Sequence, residues 1–230
     1  MVQGVFITAT GTGAGKTLVA GALLHFFVTQ GISAVGMKPV ACGCRPTDQG
    51  LRSGDGELLW QYSDPRPLYE DINPYAFAEP VAPHIAAEYS GVQISLDQID
   101  KHWRSLRTQS EWVVVEGVGG WLVPLGSQWS VADLAQHFGY PVVMVVGMGL
   151  GCLNYALLTA GAIVASGLEL VGWVANQTDP NMLRFDDNVL ALKHYLSAPL
   201  VGIIPHMMQP DVPTAATHLR IDIISKIPRK

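Results

Sequence analysis

Charge is scarce in this chain. Only 14% of its 230 residues are Asp, Glu, Lys or Arg, and the formal net charge is −5. That acidic balance argues against nucleic acid or an anionic membrane as partner. Cysteine is scarce as well: Cys42, Cys44 and Cys152 are too few for a disulfide framework. Cys42-Gly43-Cys44 is too tight for an ordinary bridge and lacks the second pair that would complete a zinc site. The seven histidines include no pair four residues apart, so His25, His84 and His194 read as surface or core fillers. Long apolar runs are missing too. The mean hydropathy of +0.25 is high, yet no run reaches the ~20 residues needed to span a bilayer. The apolar excess therefore points to strands buried on both faces and to a subunit interface. The sequence opens directly on a strand-like run without a basic leader, the pattern expected of a cytoplasmic protein.

What is present alternates. Apolar runs at Val5–Thr8, Ala34–Val40, Trp112–Glu116, Val142–Gly147, Leu170–Asn176 and Leu200–Pro205 read as strands. Most are continuous, as in parallel strands covered by helices on both sides. Helical patterns lie between them at Leu18–Thr29, Leu96–Arg107, Asn154–Ser166 and Leu183–Leu196. The expected fold is α/β: an open, mostly parallel sheet in a three-layer αβα arrangement, as one domain over residues 1–230. Residues 41–93 depart from the pattern. They are rich in Pro, Gly and Asp and broken by Pro65, Pro67, Pro74, Pro80 and Pro83, which predicts short helices covering the site. The tail after Pro205, with Pro210, Pro213 and Pro228, is expected to wrap the surface.

Residues 7–17, Ile-Thr-Ala-Thr-Gly-Thr-Gly-Ala-Gly-Lys-Thr, join the first strand to an apolar stretch from Leu18 to Phe27. A strand feeding a glycine-rich turn that ends in Gly15-Lys16-Thr17 at a helix start cradles nucleotide phosphates. Glycines let successive N–H groups converge on phosphate oxygens, and the helix dipole favours the anion. Lys16 neutralises the outer phosphates, and the Thr17 hydroxyl can ligate magnesium. The common spacing wants a small residue at position 10, where Thr10 follows Ala9. The loop thus reads as one residue longer than usual.

Ligands of open α/β sheets gather at the carboxyl ends of the strands, and the unusual polar residues fall there. Lys16 and Lys38 are the only lysines in the first hundred positions. A cation in the apolar setting Val35-Gly36-Met37-Lys38-Pro39 calls for an anionic ligand, although a lysine can also snorkel from a strand end. Glu116 ends the most apolar strand, before Gly117-Val118-Gly119-Gly120; a carboxylate there can hold magnesium or cap a turn. Asp55 reads equally as a helix N-cap or a second metal carboxylate. Asn176 suits a purine edge or an Asx turn. Gly149 to Asn154 opens a helix whose free N–H groups suit a second anion, although a helix start without a ligand is the more common case.

Together these residues resemble the dethiobiotin synthetase family over nearly the whole chain. The resemblance rests on Thr12 with Gly15-Lys16-Thr17, on Lys38-Pro39-Val40-Ala41, and on Asn73-Pro74-Tyr75 with Phe77-Ala78-Glu79-Pro80. It continues through Val115-Glu116-Gly117-Val118-Gly119-Gly120-Trp121, Leu150-Gly151-Cys152-Leu153-Asn154, Gly172 to Asn176 and Gly202 to Pro205. It implies a magnesium- and ATP-dependent ligase of biotin synthesis. One amine of 7,8-diaminononanoate takes up CO2 as a carbamate, which attacks the γ-phosphate, and the second amine closes the ring and releases phosphate. By position the family pattern makes Lys38, Lys16 and Thr12 catalytic. It puts the nucleotide beside Gly13, Ala14, Gly15, Lys16, Thr17, Leu18, Asp55 and the Glu116-Gly117-Val118-Gly119 turn. Asn176, Gln177, Pro205, His206 and Met207 frame the base. Magnesium falls to Thr17, Asp55 and Glu116. The diamine falls to Lys38, Cys42 and Gly119, and its carboxylate to Gly151, Cys152 and Asn154 across a homodimer.

Three departures from the family pattern stand out. Cys42 replaces a serine that hydrogen-bonds the carbamate, and a thiol is a weaker donor. Gly13 stands where some members have an acid, and Tyr155 where a histidine is common. Partition-type and septum-positioning ATPases share the fold but carry an early loop lysine where this chain has Gly11. A small-molecule kinase would bring lid arginines, for which Arg45, Arg52 and Arg66 are the candidates.

Overall fold

The computed structural model describes residues 2–225. Its first strand, β1 (Gln3–Ala9), runs through a glycine-rich loop into α1 (Lys16–Thr29), and β2 (Ala34–Met37) follows. The Pro-rich stretch folds in small pieces: β3 (Val40–Cys42), β4 (Arg45–Thr47), β5 (Gly50–Arg52), α2 (Gly54–Tyr62), α3 (Tyr69–Ile72), β6 (Tyr75–Phe77) and α4 (Pro83–Tyr89). Regular alternation then resumes with α5 (Leu96–Gln109), β7 (Trp112–Glu116), α6 (Val131–Phe138) and β8 (Val142–Gly147). It continues through α7 (Cys152–Ala165), β9 (Leu170–Asn176), α8 (Phe185–Tyr195) and β10 (Leu200–Ile204). α9 (Val212–Thr217) and α10 (Asp222–Ser225) come last.

Six strands pair in parallel in the order β10-β9-β8-β1-β7-β2. Side-chain alternation explains the two helical layers. Phe6, Val113 and Val115 face one core with Trp103, Ile163 and Leu192, whereas Val5, Ile7 and Val114 face the other with α1. A strand with apolar residues at both parities must be covered twice. Each Val or Ile so buried contributes ~1.5–3 kcal/mol. The chain leaves β1 toward β2 on one side and later reaches β8 on the other, so the strand order reverses beside the carboxyl end of β1. That switch point opens the crevice in which such sheets hold ligands.

Four expectations need correction. The run Ala34–Val40 is not one strand: Pro39 has no N–H to donate, and the Lys38 N–H bonds Ile72 O at 2.7 Å instead of a sheet neighbour. The chain leaves the main sheet there, and β3 pairs with β6 in a small separate sheet. The phosphate loop is not lengthened. It occupies residues 10–15, with Thr10 donating from its N–H to Val145 O and its hydroxyl accepting from Gly147 N–H. The tail does not merely wrap the surface: Val212, Ala215, Leu219, Ile221 and Ile224 are buried in the α1-side core. Pro213 is tolerated because it sits in the first turn of α9, and Pro228 lies outside the described residues. Finally, α6 was not expected, although Ser130 and Asp133 form a capping box at its start.

Candidate active site

The phosphate loop closes around Gly15, which caps α1 at φ 95° with no acidic residue in the first helical turn. The N–H groups of Lys16, Thr17 and Leu18 have no intrahelical acceptor by helix geometry and converge with the dipole on one spot. The Leu18 side chain is buried in the core, so only its backbone is offered. Loop and sheet are tied by Asn176, whose Nδ2 donates to Ala14 O at 2.9 Å. Its amide therefore serves the loop itself. Asn176 ends β9 and Gln177 follows it; the Gln177 side chain accepts from His206 N–H at 3.4 Å, joining that segment to the Pro205–Met207 turn.

Four charged side chains meet at the mouth of the loop. Lys16 Nζ donates to Gly119 O at 2.6 Å, bridging the loop to the turn after β7. Lys38 Nζ lies 2.6 Å from Glu116 Oε1 and 2.7 Å from Asp55 Oδ2, and donates to Gly117 O at 3.2 Å. The Thr17 hydroxyl is 2.9 Å from both Asp55 Oδ1 and Glu116 Oε1. Asp55 is not the cap of α2. Ser53 is, accepting from Gly56 N–H at 2.9 Å, which leaves the Asp55 carboxylate in the first turn and free to reach inward.

Burial and mutual charge set the protonation of this cluster. Burial and the neighbouring Lys38 lower the Lys16 pKa to about 8. Burial opposes the charge of Lys38, but Glu116 and Asp55 together outweigh it and hold the ammonium above its ordinary value. Burial pushes Asp55 up, and the contacts with Lys38 and Thr17 more than reverse this. For Glu116 burial wins, raising its pKa against the pull of Lys38. Burial and Cys44 push the Cys42 thiol up to about 11, so it is neutral at ordinary pH.

The oxygen donors fit a magnesium ion. A hydroxyl has one proton, so Thr17 can satisfy only one of the two carboxylates that it touches. The other contact sets lone pair against lone pair, which a cation relieves. Glu116 Oε2 is buried and has no hydrogen-bond partner among the described residues. Two carboxylates and a hydroxyl are the hard ligands that magnesium takes, with water completing the shell.

These groups open onto a cavity of about 640 Å³. Thr12, Gly13, Gly15, Lys16 and Thr17 form its floor, with Lys38, Asp55 and Glu116 beside them. Cys42 lines it as well, and Pro80 to Pro83, Val118 and Val123 supply an apolar wall beside Gly119. Pro80 and Pro83 read in the sequence as breakers of the segment expected to cover the site, and Val81, Ala82 and Val123 carry no sequence signal of their own. Within one chain the helix start Gly151, Cys152 and Asn154 does not line this cavity. Cys152 is buried, while Leu150, Tyr155 and Leu158 beside it are exposed. The candidate lid arginines also stand apart. Arg45 pairs with Glu57 at 2.6 Å, Arg52 lies 3.9 Å from the Tyr69 ring centre and Arg66 5.0 Å from that of Trp60.

Fold and site define a phosphate-loop nucleotide-binding protein of the parallel α/β class. A family model described as an AAA domain matches residues 3–214. The septum site-determining protein MinD of Pyrococcus horikoshii, solved with Mg-ADP, superposes with a TM-score of 0.57 at 13% identity, covering 99% of this chain and 90% of that one. A chain of the MinC:MinD cell division complex of Aquifex aeolicus gives 0.61 at 12% identity, covering 100% and 99%. At such identities the likeness is one of fold.

Sequence relatives say more. The ATP-dependent dethiobiotin synthetase BioD of Xanthomonas oryzae pv. oryzae is 48% identical over 92% of this chain and 93% of its own. That of Aromatoleum aromaticum is 48% identical over 94% and 96%. This chain belongs to the dethiobiotin synthetase family, ATP-dependent ligases that form carbon–nitrogen bonds.

Proposed function

We propose that this chain carboxylates 7,8-diaminononanoate with CO2 and closes the ureido ring of dethiobiotin at the cost of one ATP. The observation that carries the reading is the convergence of Lys16, Lys38, Thr17, Asp55 and Glu116 on one cavity with an apolar wall. The charged end suits a carbamate beside a terminal phosphoryl group, and the wall formed by Pro80 to Pro83 and Val123 suits an aliphatic chain.

One amine adds to CO2 and loses a proton, giving an anionic carbamate. Lys38 holds that anion against the γ-phosphoryl group, while Lys16, Thr12 and the loop N–H groups hold the phosphates. A carbamate oxygen attacks phosphorus and ADP leaves. The second amine then attacks the carbamate carbon, phosphate departs, and the ring closes. Every intermediate carries negative charge in the same place, so fixed cations and backbone dipoles do the work that a nucleophile and base do elsewhere. Magnesium, held by Thr17, Asp55 and Glu116, would neutralise phosphate charge when bound. Asn176, Gln177 and the Pro205–Met207 turn frame the base, in a single domain whose 41–93 segment roofs the site.

The substrate carboxylate lies beyond one chain's cavity. We assign it to Gly151, Cys152 and Asn154 of a second copy, since the exposed Leu150, Tyr155 and Leu158 offer an apolar face for pairing. A homodimer follows from this reading, and we propose the cytoplasm as its compartment. Purified protein supplied with magnesium ATP, diaminononanoate and CO2 should release one phosphate per dethiobiotin, and omission of either diamine or CO2 should stop both. Phosphate release that ignores the diamine would point instead to an ATPase switch.

A further inference from the structure

We infer that Asn73, through one side-chain amide, positions both Lys38 and Asp55 for the reaction; this rests on the function proposed above. Asn73 follows α3 and is 5% exposed. Its Nδ2 donates to Lys38 O at 2.8 Å and to Tyr75 O at 2.9 Å. Its Oδ1 accepts from the Ser53 hydroxyl at 3.0 Å. The Ser53 oxygen in turn accepts from Gly56 N–H at 2.9 Å, and its N–H donates to the Tyr69 hydroxyl at 3.0 Å.

The arrangement has a physical cause. Pro39 ends the pairing of β2 and strands the Lys38 carbonyl in a buried place, where a lost partner costs ~1–3 kcal/mol. Asn73 supplies the missing donor. A reversed amide would set its oxygen against two carbonyls, so only one orientation satisfies all three partners. Lys38 then reaches toward Glu116 and Asp55 from a fixed backbone. Asp55 stands two residues beyond Ser53 in the turn that Ser53 caps. One amide therefore ties the strand end bearing the ammonium to the helix start bearing the carboxylate. A displacement near 1 Å in such a pair costs about 100-fold in rate.

The test compares Asn73→Ala, Ser53→Ala and the double variant with wild type. Turnover is measured, together with ADP affinity by calorimetry with and without magnesium. Asn73→Ala should lose about 100-fold in turnover and most of the gain in ADP affinity that magnesium confers. Its magnesium-free ADP affinity should stay within about twofold, because Lys16 and the loop stand on other elements. Ser53→Ala should lose part of the magnesium gain, and the double variant should be no worse than Asn73→Ala alone. Wild-type turnover and magnesium gain in folded Asn73→Ala would overturn the inference, and so would additive effects in the double variant. Should Asn73→Ala not fold, an undiminished magnesium gain in Ser53→Ala would overturn it. The ADP measurements need no diamine. A wild-type protein that makes no dethiobiotin would therefore overturn the proposed function while leaving this inference to its own result.

Discussion

The ammonium of Lys38 lies 2.6 Å from Glu116 Oε1 at the bottom of the cavity, 3% and 1% exposed respectively. With Asp55 at 2.7 Å on the other side, the free protein keeps this lysine charged and aimed at the place where the proposed carbamate forms. Lys38→Gln should therefore lower turnover by about 100-fold or more, the scale of losing one fixed electrostatic stabiliser. ADP affinity should hardly change, since the anion that Lys38 is proposed to steady forms only during turnover. Steady-state kinetics beside calorimetry separates the two, and undiminished turnover would remove Lys38 from the mechanism.

If Lys16 holds the phosphates as proposed, it should set the pH dependence of nucleotide binding. Its pKa of about 8 means that the ammonium is present below that pH and is lost as pH rises through it. A bound phosphate favours the charged form and raises the pKa. Affinity for magnesium-free ADP should thus fall by up to about tenfold per pH unit as the pH rises above about 8. Lys16→Met should bind weakly at every pH, with no such break.

Cys42 offers a neutral thiol, since its pKa is pushed up to about 11. A hydroxyl in its place donates a better hydrogen bond, worth ~0.5–1.5 kcal/mol. Cys42→Ser should keep or raise turnover and lower the KM for the diamine. A collapse of activity would show that the thiol has a role of its own.

Gly15 cannot be replaced cheaply. At φ 95° a side chain is strained, and a Cβ there would stand 2.1 Å from Asn176 Nδ2. Gly15→Ala should lose ~2–4 kcal/mol in urea unfolding, from backbone strain and a broken bond to Ala14. Nucleotide binding should go with it.

Pairing of two copies is tested at Leu158, 65% exposed on α7. The wild type should sediment at twice the 24.7 kDa chain mass. Leu158→Asp should sediment as a monomer with a raised KM for the diamine.

Much of this site was legible in the sequence because parallel sheets put function at one edge. Lys38 and Glu116 stood out as charges at the ends of apolar strands and Lys16 as the lysine of the glycine-rich loop, and the structure brings them together. Asp55 was ambiguous because a cap and a metal ligand are the same residue type; Ser53, two positions earlier, settles which one caps. Asn73 was visible only as part of a family motif. A neutral amide in a Pro-rich segment gives no charge signal, and its partners come from residues 35 and 20 positions away. The glycine run after Glu116 hid α6, whose Ser130 and Asp133 cap was the readable cue. Prolines read as breakers hid α9, although one in a first turn is no obstacle.

Attack of a carbamate oxygen on the γ-phosphoryl group would leave an isotopic trace. In a rapid-quench turnover with oxygen-18-labelled CO2, the phosphate released should carry one labelled oxygen for each dethiobiotin formed. Phosphate free of label, alongside normal product, would rule out that attack.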